Sequence, residues 1–366
     1  MTKAAQDLFP GVHAGLGGGE FSQLTEPFRK ELLAHCYRML GSVHDAQDVV
    51  QETYLRAWRG IDRFEGRSSL RVWLYRIATS ACLTALEHRS RRVLPSGLGP
   101  SADPDLPLNV AGPDVAWIQP LPDAALPGAD PASIVAARSS VRLALVAALQ
   151  YLPPRQRAVL ILRDVLAWHA AEVAALLDTT TEAVNSALAR ARAQLARAGL
   201  SEDMLTEPAD PGDRRLLDQY ARAFQNADTA ALLRVLREDI TMEMPPHLTW
   251  FAGRDAVVRF LAATVFGRAG AIRVMPARVN GQPALATYTA GADGLHHSHS
   301  LQVLTLTPTG VSGIVSFHDS SLFELSGLPA HLDVSGRPSD LDGWADNDIG
   351  GQTPWRRSRA GFFGAR

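Results

Sequence analysis

Arginines and aromatics interleave between Arg67 and Arg92: Arg67, Arg71, Trp73, Tyr75, Arg76, Arg89, Arg91 and Arg92. Aromatic planes stack on unpaired bases, worth about 1–3 kcal/mol each, and guanidinium groups neutralise phosphates. This mixture suits a nucleic-acid strand whose bases are exposed. Trp73 and Tyr75 are two residues apart, so one helix cannot turn both outward and at least one belongs in a core. Further along, Thr181, Glu182, Asn185 and Ser186 fall on outward positions of a second helix, where such side chains can hydrogen-bond base edges. Arg190 and Arg192 on the same helix suit phosphates. Arg155 and Arg157 suit either the DNA backbone or their own helix surface. Asp45, Asp48 and Glu52 are three and four residues apart and share one acidic helix face, either a docking surface or a solvated one. Last come His247, Trp250, Phe251, Tyr288, His299, His318 and Asp319, which could line an apolar pocket with a few polar groups. A His–Asp pair among them could act as acid and base on a ketone. His296, His297 and His299 lack a nearby Cys or second cluster, so neither a metal nor a cofactor is expected.

These groups need elements to hold them. Over 152–198, apolar residues recur at three- and four-residue spacing: Val159, Leu160, Leu162, Val165, then Val173, Leu176, Leu177, then Val184, Leu188, Leu195. Asp178 and Thr179 sit in a turn, and Thr180, Thr181 and Glu182 open the next helix as cap and dipole partners. The spacing predicts a helix-turn-helix with its recognition helix from about Thr181 to Arg197. Residues 21–93 are densely helical, with Phe28, Leu32, Leu33, Cys36, Tyr37 and Leu40 on one period. Gly41 stops that helix, and His44, Asp45 and Asp48 open another that runs to about Gly60. Val49, Val50, Tyr54 and Trp58 are expected in the core behind the acidic face. Cys36 and Cys82, the two cysteines, are expected as reduced core thiols.

The pattern changes from Asp213. Three helical segments, ending with Gly253–Phe266, precede strand-like runs at Ala271–Val279, Ala284–Tyr288, Ser298–Thr307 and Gly313–Asp319. Asn280-Gly281, Asp293-Gly294 and Thr309-Gly310 mark the turns. Helices followed by antiparallel strands predict an α+β domain. Residues 94–132 hold nine prolines in 39 positions, which forbids regular helix. They are expected to form a linker spanning roughly 35 Å as a coil. Trp117 and Ile118 within it either anchor to a partner surface or pack locally. The expected organisation is a mobile tail (1–20), a helical domain (21–93), the linker (94–132), a second helical domain (133–200), the α+β domain (210–331) and a disordered polar tail (332–366).

Net charge is −2, but 21–93 carries twelve Lys/Arg against eight Asp/Glu, and 133–200 carries eight Arg against four acids. Each helical segment is therefore +4 and the remainder −10. Nucleic-acid contact is expected on the two basic segments, and the acidic remainder could dock on them through screened charge. No run of 18 apolar residues occurs and no secretory signal opens the chain, so a cytoplasmic protein without membrane contact is expected.

Taken together, HDAQDVVQETYLRAW (44–58), FEGRSSLRVWLYRIATSACLTALEHRSRR (64–92) and LPPRQRAVLILRDVLAW (152–168) with AAEVAALLDTTTEAVNSALARAR after it resemble the bacterial sigma-70 family. The likeness is to the small extracytoplasmic-function type, which keeps only regions 2 and 4. Residues 213–331, carrying LLDQYARAFQNADTAALLRVLREDITMEMPP, WFAGRDAVVRFL, VNGQPALATY and FHDSSLFELSGLP, resemble the SnoaL-like polyketide cyclases. The resemblance implies a multidomain fold: two all-α sigma domains, the second with a helix-turn-helix, plus a cone-shaped α+β SnoaL-like domain with a curved antiparallel sheet. It implies that Asp45, Asp48 and Glu52 dock on core RNA polymerase through its β′ subunit, with the β subunit as a further partner. It implies that the arginine-aromatic segment recognises and melts the minus-ten element and that the recognition helix reads the minus-thirty-five element of promoter DNA. Such a protein performs no catalysis itself. Its C-terminal domain would modulate activity, with a small ligand or an anti-sigma protein as further partners. Rival readings are a cyclase- or isomerase-like enzyme fused to a DNA-binding module, and a helix-turn-helix repressor. The segment His44–Arg92 argues against both, because neither needs a docking helix followed by a melting segment.

Overall fold

The computed structural model describes residues 18–64, 66, 68–87, 90–127, 138–197, 211–267, 270–333 and 335–337. Arg67, Arg89 and most of both expected tails lie outside the described residues. The first helical domain packs α1 (Gly18–Thr25), α2 (Arg29–Leu40), α3 (Val43–Gly60) and α4 (Leu70–Glu87). Gly41 adopts a left-handed φ of 69° and stops α2, as its residue type predicts. Ser42 then caps α3, its Oγ accepting from the Asp45 amide at 3.1 Å. Cys36 and Cys82 are buried free thiols.

In the second helical domain, α5 (Leu143–Leu149) and α6 (Pro154–Leu160) lead through a widened turn to α7 (Ala170–Leu177) and α8 (Thr181–Arg197). Asp178, at φ 51°, turns the chain between α7 and α8. Val184, Leu188 and Ala191 bury one side of α8 and leave the other free.

The C-terminal domain runs α9 (Pro211–Gln225), α10 (Thr229–Val235), β1 (Leu236–Glu243), β2 (Trp250–Ala252), α11 (Arg254–Phe260), β3 (Ile272–Val279), β4 (Gln282–Ala290), β5 (His296–Thr307), β6 (Gly310–Phe317), α12 (Ser321–Leu325) and β7 (His331–Leu332). Strand order is β2-β1-β6-β5-β4-β3, with β7 added to β5, giving a curved, unclosed sheet. β1 and β6 pair in parallel, a departure from the wholly antiparallel sheet expected. No hairpin joins these two strands, so nothing forces them to reverse. Alternation along the strands divides the faces. Leu285, Leu304 and Ile314 point into a core beneath α9–α11. Ala284, Ala286, Tyr288, Leu301 and Val303 point outward, into a core continuous with both helical domains. The acidic C-terminal part thus docks through apolar surface rather than through the charge attraction expected of it. Net charge fixes long-range attraction, whereas burying these side chains removes apolar surface from water.

The proline-rich segment is also more fixed than a coil. Its described residues contain short helical turns at Pro95–Gly97 and Asp123–Ala125 and no longer helix. Its Val110 pairs antiparallel with His247 and its Val93 neighbour pairs with Trp117. Backbone bonds from Ala102 to Trp250 (2.8 Å), Leu248 to Asn109 (2.7 Å) and Ala111 to Pro246 (3.1 Å) tie it to the C-terminal domain. On its other side, Gln119 donates to Gly41 O at 3.0 Å and its carbonyl accepts from the Tyr37 hydroxyl at 2.8 Å. Ile118 is buried there. Prolines deny the segment a helix, yet leave enough amides to pair along a neighbouring loop.

The β3–β4 hairpin tip joins all four parts. Asn280 and Gly281 take φ of 56° and 66°, the mirror-image turn that an Asn-Gly pair favours. Asn280 is fully buried. Its amide nitrogen donates to Tyr37 Oη (2.7 Å) and Val141 O (2.6 Å), and its side-chain oxygen accepts from Leu121 N (2.8 Å).

Within the first domain, His35 is fully buried, with Nε2 at 2.9 Å from Thr79 Oγ1. Burial, helped by the nearby Arg38 charge, pushes its pKa down from 6.5 to about 3. The unfolded chain therefore binds a proton on His35 that the folded chain refuses. Stability that is complete above pH 6.5 is lost progressively as pH falls toward 3. Thermal melts of the full chain at falling pH should show this loss, and His35→Gln should flatten it. An equal pH slope in the two proteins would exclude His35 as its source.

Candidate functional site

The outward face of α8 gathers the side chains expected to read DNA. Glu182, Asn185, Ser186, Arg190 and Arg192 are exposed and Thr181 is half-buried. Thr180 Oγ1 accepts from the Ala183 amide at 3.2 Å and so caps the helix start. Arg190 Nη1 donates to Ser186 Oγ at 3.1 Å, which leaves the guanidinium on the same face. Arg192 instead leans back to Asp164 at 2.7 Å, an exposed pair worth little and easily exchanged for a phosphate. Arg155 is exposed, whereas Arg157 is buried and takes no part in this face.

The acidic face divides. Asp48 is exposed and Glu52 pairs with Arg56 at 2.7 Å one turn on. Asp45 turns away: Arg92 Nη2 donates to its Oδ2 at 2.6 Å, and Arg92 Nη1 donates to Trp117 O at 2.6 Å. Asp45 and Arg92 thus fasten the linker to the first domain, and neither takes the free, outward position expected of it. Two apolar side chains complete the exposed face of α3, Leu55 (51% exposed) and Trp58 (39% exposed). Sequence reasoning overlooked Leu55 and put Trp58 in the core. The spacing 48, 52, 55 already marks one helix face. Trp58 rests edge-on against Phe21, 5.1 Å away, and so buries only part of its ring.

Along α4 the arginine-aromatic segment is mostly engaged within the chain. Tyr75 is fully buried between His35 and Trp168, at ring distances of 5.1 and 5.2 Å. It is therefore a core residue, not a stacking platform, in this conformation. Arg71 makes a forked contact with Glu31 at 2.8–2.9 Å and lies over the Tyr75 ring. Arg91 covers the Tyr151 ring of the second helical domain at 4.2 Å. Trp73 is half-buried against Phe64, and Arg76 is exposed.

The Tyr75–Trp168 and Arg91–Tyr151 contacts belong to a direct interface in which α4 packs on α6 and α7. Two buried arginines cross it in opposite directions. Arg38 of α2 donates to Ser140 O (3.2 Å) and Ser140 Oγ (2.6 Å). Arg157 of α6 donates to Met39 O, to Gln150 Oε1 (2.6 Å), and to the Gln150 and Leu152 carbonyls (3.0 and 3.1 Å). Burial lowers both guanidinium pKa values to about 10.

In the C-terminal domain a cavity of about 330 Å³ opens under the sheet's inner face. Of the expected lining residues, His247, His299 and His318 line it. The other four do not. Phe251 packs on Phe260 at 4.5 Å, and Tyr288 lies on the outer face with its hydroxyl donating to Pro329 O at 3.0 Å. Trp250 Nε1 donates to the linker's Gly99 O at 2.9 Å, and Asp319 accepts from Ser321 N and Oγ. Residue type had suggested all seven; strand alternation and loop geometry separate them. Asp319 is thus no acid–base partner within the cavity. Burial lowers the pKa of all three histidines, with His318 pushed down to about 4 by burial and by its two neighbours. Among the described residues no cluster of three His, Cys, Asp or Glu could hold a metal ion.

Comparison with known proteins agrees with this layout. The Sigma-70 region 2 family matches residues 24–92 and the Sigma-70 region 4 family matches 142–195. The ECF RNA polymerase sigma factor SigG of Mycobacterium tuberculosis is 50% identical over 317 residues, covering 86% of this chain and 85% of that protein. SigJ of the same organism is 28% identical over 281 residues, covering 74% of this chain and 81% of that protein. The crystal structure of SigJ superimposes with a TM-score of 0.54 at 25% identity, covering 84% of this chain and 99% of that one. That coverage reaches past the two sigma regions into the C-terminal domain. This chain belongs to the extracytoplasmic-function sigma factors of bacterial RNA polymerase.

Proposed function

We propose a division of labour within this sigma factor. As a family member it binds core RNA polymerase and promoter DNA and starts transcription. The exposed face of α3, Asp48 and Glu52 with Leu55 and Trp58, docks on the β′ subunit, and the second helical domain meets β. Asp45 supports that face from behind. Trp73, Arg76, Arg67 and Arg89, joined by Arg71, Arg91 and Arg92 once these three are released, serve the minus-ten element. Thr181, Glu182, Asn185 and Ser186 read minus-thirty-five bases while Arg190 and Arg192 hold phosphates. The C-terminal domain modulates this activity rather than acting on a substrate; among the described residues no carboxylate lines its cavity beside the histidines. The protein acts in the cytoplasm; among the described residues no helix is long and apolar enough to cross a membrane.

One observation carries the regulatory part: Tyr75 is buried under Trp168. Helix α4 packs on α7 and α7 on α8, and packed axes lie 8–10 Å apart, so α4 and α8 are within about 20 Å. The two promoter elements are roughly 25 base pairs apart by position, about 85 Å of duplex. One closed molecule cannot span them, so the helical domains must separate on the polymerase. The outer face of the sheet and Asn280 oppose that separation. An anti-sigma protein would have to compete with contacts the chain already makes to itself.

Four variants test the scheme. Asp48→Arg with Glu52→Arg should abolish co-purification with core polymerase while helicity stays unchanged; retained binding would remove α3 from the docking surface. Asn185→Ala should relax base preference at one position by about 1–3 kcal/mol in a promoter-library assay. Arg190→Ala should weaken binding evenly and flatten its salt dependence, and the reverse pattern would reject the assignment. Asn280→Gly keeps the left-handed turn but removes the amide. It should raise run-off transcription at fixed sigma concentration, and unchanged or lower output from the folded variant would refute restraint by this domain.

A further inference from the structure

The cavity of the C-terminal domain has a composition that selects one chemical class of ligand. Its walls are apolar, including Phe224, Met242, Met244 and Phe260. Polar side chains such as Thr287, Ser300 and Gln302 interrupt them on the sheet side. Among the described residues no Lys, Arg, Asp or Glu lines it. Three imidazoles stand together: His318 is 5.0 Å from His299 and 6.0 Å from His247 between ring centres. Nδ1 of His247 is buried without a hydrogen-bond partner among the described residues. A neutral imidazole offers one N–H and one lone pair. An anion would find no cation here and a cation would find no carboxylate, so either would be desolvated without compensation.

One wall comes from outside the domain. Leu108 of the interdomain segment lines the cavity. Its neighbour Asn109 donates through its amide to Thr249 Oγ1 at 2.7 Å and accepts from Leu248 N at 2.7 Å. The next residue, Val110, pairs with His247, so the loop bearing this histidine is the loop that holds the segment. Leu108 and His247 therefore face the same space from both sides of that seam.

We propose that this cavity binds an uncharged, mainly apolar small molecule whose carbonyl or hydroxyl group hydrogen-bonds the imidazole cluster, and that occupancy tightens the seam between Leu108–Val110 and the His247 loop. The proposal rests on the regulatory reading of the C-terminal domain. It adds the ligand's chemistry and the element that senses it.

The test uses prodan, a neutral naphthalene ketone whose emission shifts with polarity and hydrogen bonding, titrated into the full-length protein. A saturable blue-shifted signal is expected. It should be displaced by 2-acetylnaphthalene at least about tenfold better than by 2-naphthoate, an anion of similar size. His318→Phe keeps the ring volume and should weaken binding about three- to tenfold, the loss of one neutral hydrogen bond. Leu108→Ala, outside the domain's own core, should also weaken binding and serves if the histidine variant does not fold. Amide exchange at Leu248 and Asn109 should slow when 2-acetylnaphthalene binds. Emission that stays at its aqueous value, or equal displacement by 2-naphthoate, overturns the ligand class. Binding that leaves exchange at both amides unchanged overturns the coupling. Run-off transcription measured on the same samples separates the two readings: activity that persists without probe binding defeats this inference and leaves the sigma assignment intact.

Discussion

One buried asparagine bonds the two helical domains and the linker to the C-terminal domain that carries it. Asn280 sits at the tip of a hairpin and hydrogen-bonds the first helical domain at Tyr37, the linker at Leu121 and the start of the second helical domain at Val141. Its backbone amide adds a bond to Leu121 O at 2.7 Å. Buried polar groups must find partners, so each of these bonds fixes the path of a separate chain segment against the tip. Gly281 beside it has no room for a side chain: a Cβ there would lie 2.7 Å from the carbonyl oxygen of Arg138. The turn type needed at this tip and the closeness of its surroundings both call for the Asn-Gly pair.

Around that tip the helical domains are joined by groups that differ in kind. The contact of Tyr75 with Trp168 is apolar and favours closure. Arg38 and Arg157 are desolvated with carbonyl and hydroxyl partners, and neither has a carboxylate partner among the described residues. Burying a charge without an opposite charge opposes closure even when its hydrogen bonds are made. An interface built this way specifies one geometry while remaining separable. The proposed separation of the two domains on promoter DNA has the same requirement.

The sheet serves two purposes through its two faces. Outward residues of β4 and β5 complete the core shared with the helical domains. Inward residues of the same strands, Thr287, Ser300 and Gln302, line the cavity. Because the strands are common to both, a change on the inner face is one pleat away from the interdomain core. The linker closes the circuit, since it supplies Leu108 to the cavity and Gln119 to the first domain.

The sequence alone determined the local elements and the family. Periodicity and caps placed α8 at Thr181–Arg197, and Gly41 and Asn280-Gly281 announced a helix stop and a hairpin, because these signals depend on neighbours a few residues away. It also chose the three cavity histidines, though with four companions that lie elsewhere. What tertiary structure decided was partnership across long separations. Asp45 looked like a member of an exposed acidic face until Arg92, 47 residues on, claimed it. Tyr75 and Trp73 were equivalent on a helix until Trp168 covered one of them. Nine prolines predicted an unstructured linker, and they did exclude helix, but whether an extended chain stays free depends on the edge it meets. Charge asymmetry suggested electrostatic docking where apolar alternation on the outer sheet face supplied the contact. Side-chain partners so distant in sequence are set by packing, and packing is a property of the assembled chain.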